Sequence, residues 1–268
     1  MDTRKALKNK TILPFYNASQ GICEYTIQKE LSRGATCIVY DASYQNNSGN
    51  QKLVRIKECY PFALTILRRN DNTLVPSTSD RAQFEAYKQQ MAQAFDLGNH
   101  LFSVSGLTNY TSNTVDIYEL NNTLYVVTTY QEGETLSYQQ FASLKDCVSI
   151  VKSTAKVIAR IHEEGYLYLD LKPENIFALT GTTEIVQLFD FDSLIPLSAF
   201  QNDTINQYKI AYTRGFSALE LQMGNLKRIS KKTDVYSIGA ILFYLLFGRA
   251  PTAMDAAMDA QYAYQNTR

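Results

Sequence analysis

The order of the hydrophobic patterns along the chain limits its fold more than any other feature. Up to about residue 129 the apolar runs are short and rich in β-branched and aromatic residues, whereas helical patterns dominate afterwards. Strands collected in one half and helices in the other favour an α+β protein with two lobes. A chain of 268 residues is long enough to bury cores for both.

The small lobe is predicted over residues 22–129, as an antiparallel sheet with one helix packed on it. Ser32, Arg33 and Gly34 separate two β-rich runs, which indicates a hairpin, and Ser79 with Asp80 is a helix-capping signal. The predicted segments are an irregular leader (1–21), the hairpin (24–40), a strand (52–58), an irregular insert (60–79), a helix (81–95) and two strands (114–119 and 123–129) joined by Asn121 and Asn122.

The predicted helix over residues 81–95 carries a stripe of apolar side chains at helical spacing. Its members recur at intervals of three, four and four residues, so they share one helix face that points toward a core. They are Phe84, Tyr87, Met91 and Phe95.

The larger, mostly helical lobe is predicted over residues 130–268, with residues 130–134 as the link. Its predicted elements are an amphipathic helix (148–162), two short strands (176–178 and 184–189), an apolar helix (232–247) and, over 250–268, a short loop with part of a helix. The apolar helix has about a dozen strongly hydrophobic residues, too few to cross a bilayer core of about 30 Å. We therefore expect a buried core helix and no membrane segment in this chain, while a membrane tether beyond Arg268 stays open.

Charge and cysteine content exclude several classes of protein. The 26 Lys and Arg residues balance the 26 Asp and Glu residues, so we expect no nucleic acid as partner. The four cysteines are widely spaced, which favours reduced thiols and a cytoplasmic protein over a secreted disulfide scaffold. The polar, basic N-terminus lacks the apolar run of a signal peptide.

The most informative segment is Y-L-D-L-K-P-E-N over residues 168–175, followed by D-F-D over residues 190–192. Phosphoryl transfer needs a carboxylate for the hydroxyl proton, a cation near the phosphate and oxygen ligands for Mg²⁺. Asp170, Lys172, Asn175 and Asp190 make up such a set. A solvated polar turn capped by Asp170 is the alternative interpretation of this segment taken alone.

A further motif lies upstream, an I-K pair on a strand that follows a glycine-containing hairpin. Together these motifs resemble those of the eukaryotic-type Ser/Thr protein kinases. The resemblance extends from residue 24 to about residue 250, and its details are similar to kinases of Gram-positive anaerobic bacteria. The other matching pieces are the loop L-S-R-G-A-T-C-I-V (31–39), V-R-I-K (54–57), A-L-E (218–220) and D-V-Y-S-I-G (234–239). The resemblance implies a kinase-like bilobal fold and a protein substrate with a Ser or Thr acceptor.

The resemblance also implies a role for each motif residue, with ATP and Mg²⁺ as cofactors. Asp170 corresponds to the catalytic carboxylate, Lys172 to the cation on the transferring phosphate, and Asn175 and Asp190 to the metal ligands. Lys57 corresponds to the ligand of the α- and β-phosphates. Leu31, Gly34 and Val39 correspond to the loop that covers the nucleotide, Thr128 to the residue that gates the back pocket, and Tyr130, with Thr129 and Gln131, to the backbone groups that meet adenine.

The partner expected for Lys57 is a glutamate on the predicted helix, and Glu85 is the only acid between residues 81 and 95. In the family, this glutamate is usually followed by apolar residues three, four and seven positions later. The residues after Lys88 match this spacing better than those after Glu85. In that second register, Lys88 would occupy the position of the family's glutamate. We predict Glu85 as the partner and keep the second register open.

Several departures from the family pattern keep a pseudokinase open as an alternative function. Ser32 and Cys37 stand at two of the three usual glycine positions, and Arg55 replaces a small alanine on the face of Lys57. We expect a strand bulge to turn Arg55 outward; if it points inward instead, nucleotide binding is altered. Tyr168 and Leu169 replace the usual His-Arg, so we expect activity without activation-loop phosphorylation, and Asp192 replaces a glycine. A small-molecule phosphotransferase is a third possibility.

Only 34 residues follow Asp234, fewer than the large lobe of the family contains. We therefore expect a fragment or a truncated domain.

Overall fold

The computed structural model describes residues 2–17, 21–46, 48–104, 114–130, 132–139, 141, 143–191, 194–202, 204–205, 208 and 210–255. The chain divides into two compact units. The first consists of Met1–His100 with Ser112–Gln131, and the second of Leu101–Thr111 with Glu132–Arg268. The fold class predicted from the sequence, sheet-rich at first and helical afterwards, is confirmed.

The first unit contains a six-stranded antiparallel sheet and most of one long helix, whose last turn from Leu101 belongs to the second unit. The elements are β1 (Ile12–Asn17), β2 (Gly21–Arg33), β3 (Cys37–Gln45), β4 (Gln51–Cys59), β5 (Ile66–Arg68), β6 (Leu74–Pro76), α1 (Arg81–Val104), β7 (Thr114–Leu120) and β8 (Thr123–Thr129). The strand order in the sheet is β1-β2-β3-β4-β8-β7. Its edge strands β1 and β7 approach each other, since the rings of Phe15 and Tyr118 stack with centroids 4.4 Å apart. The predicted hairpin and strands are thereby confirmed.

The turn and the helix in this unit follow from local chemistry. Asn121 and Asn122 both adopt positive φ, which asparagine tolerates and which suits a two-residue hairpin turn. Phe84 and Met91 of α1 are buried in the core as predicted, but the helix continues nine residues beyond the predicted end at residue 95. Asp80 precedes α1, and its carboxylate accepts a hydrogen bond from Thr65 N at 2.8 Å.

The prediction that residues 1–21 form an irregular leader is wrong. Residues 12–17 are strand β1, which pairs with β2 from Ile12 opposite Thr26 to Asn17 opposite Gly21. Leu13 and Phe15 of β1 are buried while Ile12 and Tyr16 are exposed. This alternation spans five residues only, too few for its period to be recognised in the sequence.

The insert over residues 60–79 is also more regular than predicted, because β5 and β6 form a small antiparallel hairpin within it. Asn72 adopts positive φ in the connection. Each strand has three residues, so no alternating pattern could identify them.

Glu58 of β4 is fully buried and anchors both the leader and the insert. It accepts hydrogen bonds from Tyr40 and Tyr125 hydroxyls, each at 2.8 Å, and from Arg68 Nη2 at 2.6 Å. Arg68 also donates to Lys5 O at 2.6 Å, so one guanidinium links the insert, the leader and the sheet. Burial and the Glu58 carboxylate raise the pKa of Tyr40 well above its usual range.

The second unit is built on two long helices that pack against each other. Ser143 caps one helix through Asp146 N, and Ser230 with Thr233 forms a capping box on the other, which ends at Gly248 in the left-handed conformation. The elements are β9 (Gly133–Thr135), α2 (Leu144–Glu163), β10 (Tyr166–Leu167), β11 (Ile176–Leu179), β12 (Val186–Leu188), β13 (Ile195–Pro196), α3 (Leu197–Gln201), α4 (Leu219–Gln222) and α5 (Lys231–Phe247), with 3-10 turns at Pro173–Asn175 and Leu226–Arg228.

The predicted helices over 148–162 and 232–247 and the two predicted strands are confirmed with small shifts at their ends, whereas most of the segment predicted over 250–268 lies outside the described residues. The expectation that the apolar helix is a buried core helix is wrong, because α5 buries Ala240 and Ile241 but exposes Val235 and Phe247. The predicted link contributes β9, which pairs with β11 in a three-stranded sheet with β12. Among the described residues, no helix has the length and apolar character needed to span a membrane.

Candidate active site

The loop between β10 and β11 is held in place by one buried carboxylate, that of Asp234 on α5. Its oxygens accept hydrogen bonds from Tyr168 N at 2.9 Å and Leu169 N at 2.8 Å, and lie 2.7 Å from His162 Nε2. Leu169 has φ of 63°, a conformation that costs free energy unless the surroundings enforce it. Asp234 therefore enforces the backbone geometry immediately before Asp170.

Asp170 lies at the centre of the predicted catalytic segment. Its Oδ2 accepts a hydrogen bond from Lys172 Nζ at 2.6 Å, and its Oδ1 accepts one from Thr213 Oγ1 at 2.7 Å. Asn175 Nδ2 donates to the Asp170 carbonyl at 3.0 Å. The structure thus brings together Asp170, Lys172, Asn175 and Thr213, with the Asp170 carboxylate almost buried between two donors.

Asp190 and Asn175 lie at the same end of the β11–β12 pair. Ile176 of β11 faces Leu188 of β12, and the ladder continues through Phe189 N, which donates to Asn175 O at 3.0 Å. The Tyr168 hydroxyl donates to Phe189 O on the same segment. Asp190 comes one residue later, with φ of 56°.

Asn175 and Asp190 offer oxygen donors, the ligand type that Mg²⁺ prefers. Asn175 Nδ2 donates a hydrogen bond to the Asp170 carbonyl, so the side-chain oxygen of Asn175 points away from that carbonyl. In the described parts of the chain, no cluster of three or more His, Cys, Asp or Glu side chains forms a metal cage. The donor set fits a Mg²⁺ ion that keeps part of its coordination for phosphate oxygens and water.

Lys57 of the first unit lies on one face of the sheet with three other residues of interest. In the antiparallel register Val39 faces Lys57 and Arg55 faces Thr128. Residues two apart on a strand share a face, so these four side chains belong to the same side of the sheet. The structure therefore groups the predicted nucleotide residues Val39, Lys57 and Thr128.

Arg55 keeps its place on this face, because the register between β3 and β4 is continuous over residues 37–45 and 51–59. Its Nε lies 3.8 Å from Asp41 Oδ1, and its guanidinium carbon lies 5.4 Å from the ring centroid of Tyr130. The expectation that a strand bulge turns Arg55 outward is wrong, because the pairing on both sides of Arg55 has no bulge. Its charged end is instead engaged by an acid and an aromatic ring within the same unit.

The loop between β2 and β3 closes through Gly34 N, which donates to Cys37 O at 2.9 Å. Gly34 does not adopt positive φ, and a Cβ at this position would approach only Cys37 O, at 3.9 Å. The backbone here does not require glycine. Leu31 lies on β2 with its side chain partly exposed. The nucleotide-binding roles of Gly34 and Leu31 stay predictions.

Glu85 lies on α1 with half of its side chain exposed, and its carboxylate is 2.9 Å from Lys88 Nζ. Lys88 is the buried member of this pair and also reaches Glu119 at 3.3 Å. Although burial lowers the pKa of Lys88, hydrogen bonds to the two glutamates outweigh this effect and raise it. The pairing of Glu85 with Lys57 stays a prediction, and the burial of Lys88 favours the second register.

Sequence reasoning did not assign a site role to Asp234, although the motif over residues 234–239 was part of the resemblance. Thr213 precedes α4, and its hydrogen bond to Asp170 brings this segment to the candidate catalytic loop. Gln131 and Asp192, which entered the sequence predictions, lie outside the described residues.

Comparison with known proteins gives one family. The family model described as a protein kinase domain matches residues 100–267. "Serine/threonine-protein kinase D" of Synechocystis sp. is 28% identical over 241 residues, which is 88% of this chain and 43% of that protein. "Serine/threonine-protein kinase PrkC" of Bacillus subtilis is 29% identical over 154 residues, 55% of this chain and 23% of that protein. The chain thus spans less than half the length of these relatives.

Solved structures show the same fold. The structure described as "PpkA-294 apo form" has a TM-score of 0.63 and 23% identity, covering 90% of this chain and 80% of that chain. Another, a kinase domain crystal structure, has a TM-score of 0.66 and 14% identity, covering 93% of this chain and 69% of that chain.

Proposed function

The chain belongs to the protein kinase domain family, and from this premise we propose that it transfers the γ-phosphoryl group of Mg·ATP to a Ser or Thr hydroxyl of a protein. The observation that carries the proposal is the arrangement around Asp170. A carboxylate with a lysine on one oxygen and a threonine on the other, on a loop fixed by a buried aspartate, suits phosphoryl transfer.

In the proposed reaction, the acceptor oxygen attacks the γ-phosphorus as the bond from that phosphorus to the ADP oxygen breaks. Asp170 orients the acceptor hydroxyl and accepts its proton. Lys172 places its positive charge beside the transferring phosphoryl group, whose negative charge it balances. Its short hydrogen bond to Asp170 holds both groups in position before substrate arrives.

The remaining predicted roles follow from donor type and position. Lys57 binds the α- and β-phosphates, and Val39 and Thr128 contribute the apolar and polar surface near adenine, with Leu31, Gly34 and the Tyr130 backbone. Asn175 and Asp190 hold Mg²⁺, which when bound neutralises phosphate charge. Glu85 is the proposed partner of Lys57.

The proposed acceptor is a protein rather than a nucleic acid, since the chain has equal numbers of acidic and basic residues. Thr213, hydrogen-bonded to Asp170, supports a Ser or Thr acceptor. The described cysteines are free thiols, which supports the cytoplasm as location.

The test is a transfer assay with labelled ATP, Mg²⁺ and a generic protein acceptor, followed by phosphoamino acid analysis. We expect phosphoserine or phosphothreonine from the wild type. Asp170→Asn should abolish transfer while Mg·ATP binding, measured by thermal shift, changes little, because the lost interaction acts in the transition state. Asp255→Asn, which removes a carboxylate paired with Arg249 after the end of α5, is the matched control and should retain transfer.

Two outcomes would contradict the proposal. Undiminished transfer by Asp170→Asn would remove Asp170 from the reaction. A wild type that binds Mg·ATP but transfers nothing to itself or to the acceptor would identify the chain as a pseudokinase instead.

A further inference from the structure

We propose that Arg4 of the leader is a positioning residue, which clamps the loop tip Gly34–Cys37 in the conformation that binds the phosphates of ATP. The effect on ATP rests on the proposed function, whereas the clamp itself rests only on contacts within the first unit. No motif contains Arg4, and the sequence pattern placed it in an irregular leader.

The Arg4 guanidinium is buried against carbonyl groups at both ends of the loop tip. Nη2 donates to Gly34 O at 2.9 Å, and Nη1 donates to Tyr60 O at 2.5 Å and more weakly to Cys37 O at 3.5 Å. Only 6% of the Arg4 side chain is exposed. A buried guanidinium needs such acceptors, so these contacts fix the loop tip relative to residue 60.

Asp2 completes the charge balance of this site. Its Oδ2 accepts a hydrogen bond from Arg4 Nη2 at 2.6 Å, and its Oδ1 accepts one from Arg4 N at 3.0 Å. The Arg4 guanidinium accordingly holds the pKa of Asp2 well below its usual range. The leader therefore presents Arg4 already oriented toward the loop.

The backbone after β4 holds the middle of the loop tip. Tyr60 N donates to Thr36 O at 2.9 Å, and Phe62 N donates to Ala35 O at 2.8 Å. Arg4 binds the carbonyls of Gly34 and Cys37 at the two ends of the loop tip. All four carbonyls of the loop tip therefore accept a hydrogen bond.

This arrangement fixes the direction of the amide groups in the loop tip. The described peptide bonds are trans, and in a trans peptide the N–H points opposite to the C=O of the same plane. Binding the carbonyls of Gly34 and Ala35 therefore turns the N–H groups of Ala35 and Thr36 away from the donors that hold those carbonyls. Backbone N–H groups held in a fixed direction suit an anion such as a phosphate.

The clamp also explains how a loop with few glycines can keep one conformation. The side chains of Ser32 and Cys37 restrict the backbone conformations that the loop can adopt. Gly34 does not adopt a positive φ, so it does not use the conformational freedom of glycine. Tertiary contacts from Arg4 and residues 60–62 supply the remaining constraint. The loop is thus pre-ordered by the leader rather than left to close around the nucleotide.

Loss of the Arg4 side chain should act locally, because the leader has other anchors. Arg33 Nη1 donates to Arg4 O at 2.7 Å, Leu7 N donates to the Tyr40 hydroxyl at 3.1 Å, and Leu7 is buried. These contacts do not involve the Arg4 guanidinium, so Arg4→Ala is expected to fold with its leader attached.

The test compares Arg4→Ala and Arg4→Lys with two controls in the same unit. Arg69→Ala removes a positive charge from an exposed side chain, and Leu13→Val weakens the packing of β1 without touching the loop tip. For each protein we measure the KM for ATP, kcat and the loop exchange, which is the hydrogen exchange of the Gly34, Tyr60 and Phe62 amides that donate to loop-tip carbonyls.

We expect Arg4→Ala to raise the KM for ATP about tenfold with kcat changed less than twofold, since hydrogen bonds of a charged donor to the loop are lost. The loop exchange should rise at least fivefold, because the carbonyls that accept from these three amides are no longer held in place and their hydrogen bonds open more often. Arg4→Lys should recover part of both effects, because its ammonium still reaches a carbonyl. The two controls should keep the KM and the loop exchange of the wild type.

Unchanged loop exchange in Arg4→Ala would overturn the clamp. An equal rise in the KM for ATP in Leu13→Val would show general loosening of the unit and would also overturn it. If the wild type transfers no phosphoryl group, the proposed function fails, and the exchange measurement together with Mg·ATP thermal shifts still decides whether Arg4 orders the loop.

Discussion

The two units hold their candidate site residues by different means. In the second unit, Asp170, Lys172 and Asn175 lie within six residues of sequence, and a single buried carboxylate, Asp234, fixes their loop. In the first unit, the loop tip depends on Arg4 of the leader, and Glu58, which follows Lys57 on β4, depends on Arg68 of the insert. The candidate catalytic residues thus come from one short motif, whereas the candidate nucleotide-binding loop is held by distant segments that no motif marks.

The contacts that hold the first unit together also affect its free energy of unfolding. The network around Glu58 contains an ion pair removed from water, which is costly unless every charged group is satisfied. The network does not include a predicted catalytic group. Damage to it should therefore lower the stability of the first unit more than it changes the turnover of folded molecules.

The largest expected effect is that of Arg68→Met. It leaves the Glu58 carboxylate buried without its cation and should destabilise the first unit by about 3–5 kcal/mol. Hydrogen exchange of peptides from the sheet measures the loss, and kcat per folded molecule should stay near that of the wild type. Arg69→Ala, one residue away and exposed, is the matched control.

The double variant Glu58→Gln with Arg68→Met sharpens this test. Removing the stranded charge should restore at least half of the lost stability, because the larger part of the cost is the unpaired carboxylate. Equal instability of the single and double variants would show that Arg68 acts through packing.

Asp234→Asn tests the second unit and should have the next largest effect. Both Asp234 oxygens accept backbone hydrogen bonds, so an amide NH2 on either side faces a donor. We expect kcat to fall about a hundredfold through misplacement of Asp170, with a smaller change in the KM for ATP. A loss confined to the KM for ATP would contradict the role assigned to Asp234, and Asp255→Asn is the control.

The smallest expected effect is that of Arg55→Ala. The substitution removes a long side chain from the sheet face that carries Lys57, so Mg·ATP binding should tighten about threefold, as measured by titration. The substitution also removes the ion pair between Arg55 and Asp41, whose atoms lie 3.8 Å apart. The double variant Arg55→Ala with Asp41→Asn separates the effect of losing this ion pair from the effect of removing the long side chain. Weaker binding by both variants would show that Arg55 supports the nucleotide through Tyr130.

The sequence determined the elements and residues whose signals are local. The helix stripe led by Phe84, the asparagine turn at residues 121–122 and the strands around Lys57 follow from periodicity and turn chemistry. Asp170, Lys172 and Asn175 lie within one loop, so their spacing together with the neighbouring motifs was enough to predict a catalytic segment there.

Only the tertiary structure decided features that join distant segments. Strand β1 has two inward residues, Leu13 and Phe15, and its pairing with β2 depends on the rest of the sheet. Glu58 has the polarity of a surface residue, and its burial requires Arg68 and two tyrosines from three other elements. Arg4 likewise has no pattern of its own. A charged side chain gives no periodic signal, so whether it faces water or a set of buried carbonyls is fixed only when the chain has folded around it.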